Sequence, residues 1–174
     1  MEIKTARCVI RPWRFDDKTD LIHNANNPRI ARNMTNIFPV PYTDSDADGW
    51  LDARELDAEP LENHAIEIDG AVAGGIGIHP GKDVRAGTAE LGYWLGESHW
   101  GKGYMTEVVK ATIPHAFDCF DLHRLEAYHF GWNPASGRVL VKAGFQLEGR
   151  LRESIRKGDE VTDRVVYGLL RVDS

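Results

Sequence analysis

Apolar residues alternate with polar ones in some stretches of this 174-residue chain and recur at threes and fours in others, and the two periods lay out its elements. "RCVIRPW" (7–13) reads as a first strand, closed near a sheet edge by Pro12. "FDDKTDLIHNANNP" (15–28) reads as a helix with Asp16 and Asp17 near its positive end and Pro28 beyond its last turn. Two prolines and little periodicity make 33–43 a loop. "DSDADGWLDAREL" (44–56) is a second helix, acidic at its start, with Trp50, Leu51 and Leu56 apolar. The period then drops to two. "HAIEID" (64–69) and "AVAGGIGIH" (71–79) form a hairpin around Asp69-Gly70, and "TAELGYWL" (88–95) is the next strand.

Past "SHWGKGYM" the helical period returns, with Met105, Val108, Val109, Thr112, Ala116, Phe117 and Phe120 on one stripe. Pro114 inside that helix predicts a kink or a lost hydrogen bond. "HRLEAYHF" (123–130) is a further strand. Asn133-Pro134 places an N-cap residue before a proline at the first helical position, opening a short helix to Lys142. "GFQLEGRLRESI" and "EVTDRVVYGLLR" are two last strands around a Lys157-Gly158 turn. The order is that of a mixed α/β domain.

No repeat or linker divides the chain, and its length suits one domain, 1–174, with core enough to need no disulfide or metal. No apolar run approaches the roughly 20 residues of a membrane span. The first residues do not read as a signal peptide, so the expected setting is cytoplasmic. Cys8 and Cys119 lie far apart without CxxC spacing and read as buried small apolar residues. A net charge of −6 argues against a nucleic-acid binder while leaving room for a local basic pocket. His64, His79, His99, His115, His123 and His129 show no ligand spacing, so no metal is expected. His129 is read as a packed strand histidine, with a place facing a cleft as the alternative.

The candidate chemistry begins at "WGKGY" (100–104), between a strand and a helix. The first N–H groups of a helix lack partners and carry positive potential, so a phosphate suits that position, and Gly101 and Gly103 allow close backbone approach. Neither a Walker A motif nor a complete GxGxxG is present. On these residues alone, a phosphate seat and a plain tight turn both stand.

"AELGYWLGESHWGKGYMTEVV" (89–109), "NPASGRVLVKAGF" (133–145) and the tail "EGRLRE…G…TDRVVYGLL" together resemble the GNAT superfamily of acyl-CoA-dependent N-acyltransferases. The likeness is strongest to the branch that acetylates N-termini of ribosomal proteins, and it extends loosely to "TARCVIRPWRFDD". It implies the GNAT fold: a mixed, mostly antiparallel sheet flanked by helices and splayed between its fourth and fifth strands, here 88–95 and 123–130. It implies acetyl-CoA as co-substrate, no metal, and direct transfer to a primary amine. It also implies homodimerisation, which nothing in the residues themselves indicates.

Carried over residue by residue, the resemblance makes the backbone amides of Gly101, Lys102, Gly103, Tyr104 and Met105 the pyrophosphate cradle. In the pattern Gln/Arg-x-x-Gly-x-Gly/Ala, Trp100 stands at the first position and Met105 at the last, where its bulk tightens the approach. Trp94 and Leu95 supply backbone N–H groups for the thioester oxygen. Asn133 contacts pantetheine, and Ser136 donates to the leaving sulfur, because Leu140 occupies the place of the usual tyrosine. Arg138 and Lys142 meet the 3′-phosphate, and Glu90 is the candidate general base. The residues alone also allow Asn133 as a simple cap, Ser136 as a solvated first-turn residue, and the three charged groups as surface.

An α-amine, with a pKa of about 8, is roughly one-third neutral near pH 7.5, whereas a lysine at about 10.4 is neutral to roughly one part in a thousand. So modest a catalytic inventory fits a protein or peptide N-terminus better than a lysine. A small amine acceptor (polyamine, amino acid or aminoglycoside) and a non-catalytic acyl-CoA-binding module remain the alternatives. Residues 33–60 are expected to build part of the acceptor wall, where the acidic run 44–59 either attracts a cation or is a solvated helix face.

Overall fold

The computed structural model describes residues 2–57 and 59–173. Its strands are β1 (Ile3–Lys4), β2 (Cys8–Arg11), β3 (Asn63–Ile68), β4 (Ala71–Pro80), β5 (Thr88–Leu95), β6 (Arg124–Phe130), β7 (Gln146–Lys157) and β8 (Glu160–Leu170). Its α-helices are α1 (Lys18–Ala25), α2 (Pro28–Ala31), α3 (Asp44–Glu55), α4 (Tyr104–Cys119) and α5 (Pro134–Lys142). The strands form one open sheet in the order β1-β2-β3-β4-β5-β6-β8-β7. β5 and β6 run parallel, while β1–β2, β2–β3, β3–β4, β6–β8 and β8–β7 are antiparallel. The β5–β6 register covers Thr88↔Arg124, Ala89↔Leu125 and Glu90↔Glu126; both strands continue past it, to Leu95 and Phe130. Among the described residues, no helix is long and apolar enough to cross a membrane.

The chain gathers into two compact units, one of residues up to Gly77 with Tyr93–Tyr104, the other of Ile78–Gly92 with residues from Met105 onward. In the first unit, α1 and α3 bury Leu21, Ala25, Ala47 and Leu51 in a cluster with Trp13, Tyr42, Ala65 and Val72. Thr43 and Asp46 close a capping box at the start of α3, the Asp46 carboxylate accepting the Thr43 N–H at 2.8 Å. The β3–β4 turn has Asp69 at φ 52° and Gly70 at φ 83°, the pair of positive values that a two-residue hairpin with matching twist requires.

Pro28 lies beyond the first helix, as expected, and it also opens an unforeseen short helix, α2, where the Asn27 side chain accepts the Arg29 N–H at 2.9 Å. The first strand is also shorter than expected, and Ile3–Lys4 forms an unforeseen partner for it, with Ile3 opposite Ile10.

The second unit is built on α4, which turns Met105, Val108, Val109, Ile113 and Phe117 inward. Pro114 lies within α4 without ending it. Pro114 is exposed, and so is Lys110, whose carbonyl loses its intrahelical donor to the proline; water can take that bond. Cys8 is buried as expected, but Cys119 at the end of α4 is exposed, its Sγ 2.9 Å from His115 Nδ1 one turn back. The β7–β8 hairpin turns at Gly158 (φ 58°), and its register shifts between Leu151 and Ile155, where Glu153 adopts φ 52°.

Candidate active site

In the first unit the chain leaves β5 at Leu95, makes a short 3-10 turn (Glu97–His99) and reaches the glycine loop. Gly101 and Gly103 sit at φ 72° and 86°, which explains both glycines. A Cβ at Gly101 would meet nothing within 4 Å, so that side of the residue is open space. The loop runs directly into α4, a 16-residue helix whose first N–H groups have no intrahelical acceptor. Open space beside a glycine at a helix start fits a phosphate group. Lys102 is exposed, and the Tyr104 ring lies edge-on to His99 at 5.9 Å and under the Arg7 guanidinium at 4.5 Å. Burial, and then the Lys102 charge, hold the His99 pKa below its usual 6.5.

Trp100, at the place of Gln or Arg, donates its indole N–H to the Leu95 carbonyl at 2.6 Å and so ties the loop back to β5. The Met105 side chain, at the last position of that pattern, is buried.

Trp94 packs beside Phe38 (6.1 Å, edge-on), which in turn contacts Tyr42 at 5.5 Å, so the 33–43 loop is pinned over β5. The adjacent glycines of β4 make room for this. A Cβ at Gly74 would land on the Trp94 carbonyl oxygen, and one at Gly75 would lie 2.9 Å from the Trp94 indole nitrogen. With the Trp94 carbonyl lying against Gly74, planarity turns the next N–H, that of Leu95, away from β4.

In the second unit, Glu90 is half-buried on β5, opposite Glu126. Glu126 is neutralised by Arg85 at 2.6 Å and Arg124 at 3.0 Å. Glu90 is 3.6 Å from Arg164 Nη2, an ion pair without a hydrogen bond among the described residues. Arg164 lies 4.0 Å over the Tyr128 ring, and burial, then the Glu90 charge, raises the Tyr128 pKa. Neither Arg164 nor Tyr128 stood out in the sequence.

On α5, Asn133 holds the N-cap position with φ −113° and ψ 60°, but its side chain caps nothing. The Asn133 carbonyl accepts the Ser136 N–H at 3.2 Å instead. Ser136 is half-buried, while Arg138 and Lys142 are exposed. Leu140 is fully buried. His129 is buried too, its Nδ1 2.8 Å from the Phe130 carbonyl and its Nε2 3.4 Å from the Tyr167 hydroxyl, in keeping with a packed strand histidine. A cavity of about 390 Å³ includes His129, Pro134 and Tyr167, and none of the expected site residues lines it.

The acetyltransferase (GNAT) domain model matches residues 7–146. The chain belongs to the GNAT acetyltransferase family. As a GNAT protein it is an N-acyltransferase, acting on an amine nitrogen. An uncharacterized N-acetyltransferase of Bacillus licheniformis, p20, is 29% identical over 170 residues, covering 96% of this chain and 94% of its own. The ribosomal-protein-serine acetyltransferase of Escherichia coli is 37% identical over 87 residues, 50% of this chain and 48% of that protein. The solved structure of RimL, a ribosomal L7/L12 alpha-N-protein acetyltransferase in complex with coenzyme A, superposes with a TM-score of 0.83 at 19% identity, covering 98% of each chain. That last likeness bears on the fold.

Proposed function

We propose that this GNAT protein transfers acetyl from acetyl-CoA directly to a primary amine, and that its acceptor class is the N-terminal α-amine of a protein or peptide. The observation that carries the donor half is the loop itself: two positive-φ glycines opening onto α4, with open space beside Gly101. The amides of Gly101, Lys102, Gly103, Tyr104 and Met105 hold the pyrophosphate. Arg138 and Lys142, both exposed on α5, are the candidates for the 3′-phosphate.

Acetyl-CoA supplies the activated thioester, and the chain's own groups do the rest. Trp94 fixes its peptide against Gly74, and the Leu95 N–H polarises the acyl oxygen. Asn133, with its amide released from capping, holds the pantetheine arm. Glu90, tethered by charge alone, keeps oxygen lone pairs for the proton of the attacking amine. The Ser136 hydroxyl steadies the departing thiolate, the buried Leu140 having none to offer.

The support for an N-terminal acceptor is chemical: one half-exposed carboxylate suffices for an amine with a pKa of about 8. Likeness to the ribosomal-protein-serine acetyltransferase points the same way. Thermal shift with CoA and acetyl-CoA tests the donor, and stabilisation by both is expected. Thiol release against N-terminal peptides, spermidine and an aminoglycoside tests the acceptor. A small amine that outperforms every peptide would replace the N-terminal assignment with the small-amine one.

A further inference from the structure

The Lys102 carbonyl oxygen accepts a hydrogen bond from Arg7 Nη1 at 3.0 Å, across 95 residues of sequence. The same guanidinium lies 4.5 Å over the Tyr104 ring, and a Cβ at Gly103 would sit 3.5 Å from Arg7 Nη2. One side chain therefore meets three consecutive residues of the glycine loop. The Lys102–Gly103 peptide is trans, so its C=O and its N–H point in opposite directions. Arg7 is on the carbonyl side. The Gly103 N–H consequently faces away from it.

Gly103 at φ 86° occupies backbone space that glycine reaches without steric cost, and Gly101 has the same freedom two residues earlier. Flipping the Lys102–Gly103 peptide rotates ψ of Lys102 and φ of Gly103, and on the glycine side that rotation meets little steric resistance. A flip would present the Lys102 carbonyl oxygen where the Gly103 N–H had been, and an oxygen repels an anion. Trp100 gives no help here, since its indole N–H is bonded to the Leu95 carbonyl.

We propose that Arg7 is a positioning residue for acyl-CoA: it pins the Lys102 carbonyl behind the loop and so keeps the Gly103 N–H turned toward the pyrophosphate. This rests on the reading of the loop as the pyrophosphate seat. Arg7 acts through the backbone and does not itself touch the ligand. The hydrogen bond orients the peptide, and the Tyr104 ring keeps the guanidinium over the loop.

Isothermal titration with CoA, dephospho-CoA and pantetheine tests this on the full chain, its Arg7→Ala and Arg7→Lys variants. Arg7→Ala is expected to weaken CoA and dephospho-CoA by the same factor, about tenfold, the scale of a lost charge-assisted hydrogen bond. Pantetheine, which lacks the pyrophosphate, should bind Arg7→Ala as it binds the parent. Arg7→Lys retains a donor for the carbonyl and should recover most of the loss. An unchanged melting midpoint for unliganded Arg7→Ala shows that the variant is folded. Parent-like affinity of Arg7→Ala for CoA overturns the proposal, and so does an equal loss for pantetheine. If CoA fails to bind the parent chain at all, the donor reading falls, and this inference with it.

Discussion

Arg11 and Asp17 are both buried, and the pair persists there because its hydrogen-bonding capacity is used almost completely. The guanidinium gives Nη1 and Nη2 to the two Asp17 oxygens at 2.9 and 2.8 Å, and Nε to Glu67 at 2.6 Å. Asp17 also accepts the Arg14 N–H at 2.8 Å. Removing one partner leaves a buried charge unpaired, so Asp17→Ala should cost about 3–5 kcal/mol in urea unfolding, while Arg11→Met with Asp17→Leu should recover much of that. Gly74 carries the opposite kind of sensitivity. Its missing Cβ is the space that the Trp94 carbonyl and the Leu95 Cα occupy, so Gly74→Ala must displace backbone, which does not yield as a side chain does. If the Leu95 N–H polarises the acyl oxygen, Gly74→Ala should lower kcat by about a hundredfold, the usual cost of a lost oxyanion donor, and leave the Kd for CoA unchanged. Equal losses in kcat and affinity would remove Leu95 from that role.

The elements that sequence made legible are those whose signal is local. The β3–β4 hairpin and β5 follow from period-two alternation and the Asp-Gly turn, and α5 from Asn133-Pro134. An Asn-Pro pair also opens α2 at Asn27-Pro28, there with the Asn side chain as cap, but it follows a helical run closely and reads as that helix's end. β1 is two residues long, too short for any period to register. The site divides in the same way. Backbone amides in a loop are contiguous and can be read, whereas Arg7 and Arg164 reach their partners only through the fold. His99 beside the loop gives an element-scale test. Its pKa is depressed by burial first and by Lys102 second, and a seated anion would offset both by stabilising the protonated ring. Binding then takes up a proton, so affinity for dephospho-CoA should rise as pH falls through about 6.5 toward the depressed value of the free chain, and His99→Phe should flatten the profile. In the unliganded chain the sign reverses. The unfolded state protonates first, so the His99 contribution to stability is present above about pH 6.5 and is lost as pH falls through the depressed folded value. A flat titration for the parent chain would place His99 outside the reach of the ligand.

At the scale of the whole molecule, the glycine loop belongs to one compact unit, and Glu90, Asn133 and Ser136 to the other, with the chain passing from one to the other within β4, within β5 and at the start of α4. Each unit can therefore be probed by its own readout: CoA affinity for the loop, amine dependence for the Glu90 group. The acceptor amine must lose a proton before or during attack, and what the protein must supply depends on that amine's own basicity. For an N-terminal peptide, kcat/KM should climb about tenfold per pH unit and level off near pH 8, where the α-amine is already half neutral. For a lysine side chain it should still be climbing well above that, toward about 10.4, and at pH 7.5 the two differ by roughly two orders of magnitude in neutral fraction alone. Glu90→Gln should lower the peptide rate by about 10²–10⁴, the range for a general base. It should leave CoA affinity and the melting midpoint nearly unchanged, because its ion pair with Arg164, at 3.6 Å, is a partly exposed contact of small energetic weight. A Glu90→Gln chain that turns over peptides at the parent rate would show that Glu90 is not the base and leave it a surface charge.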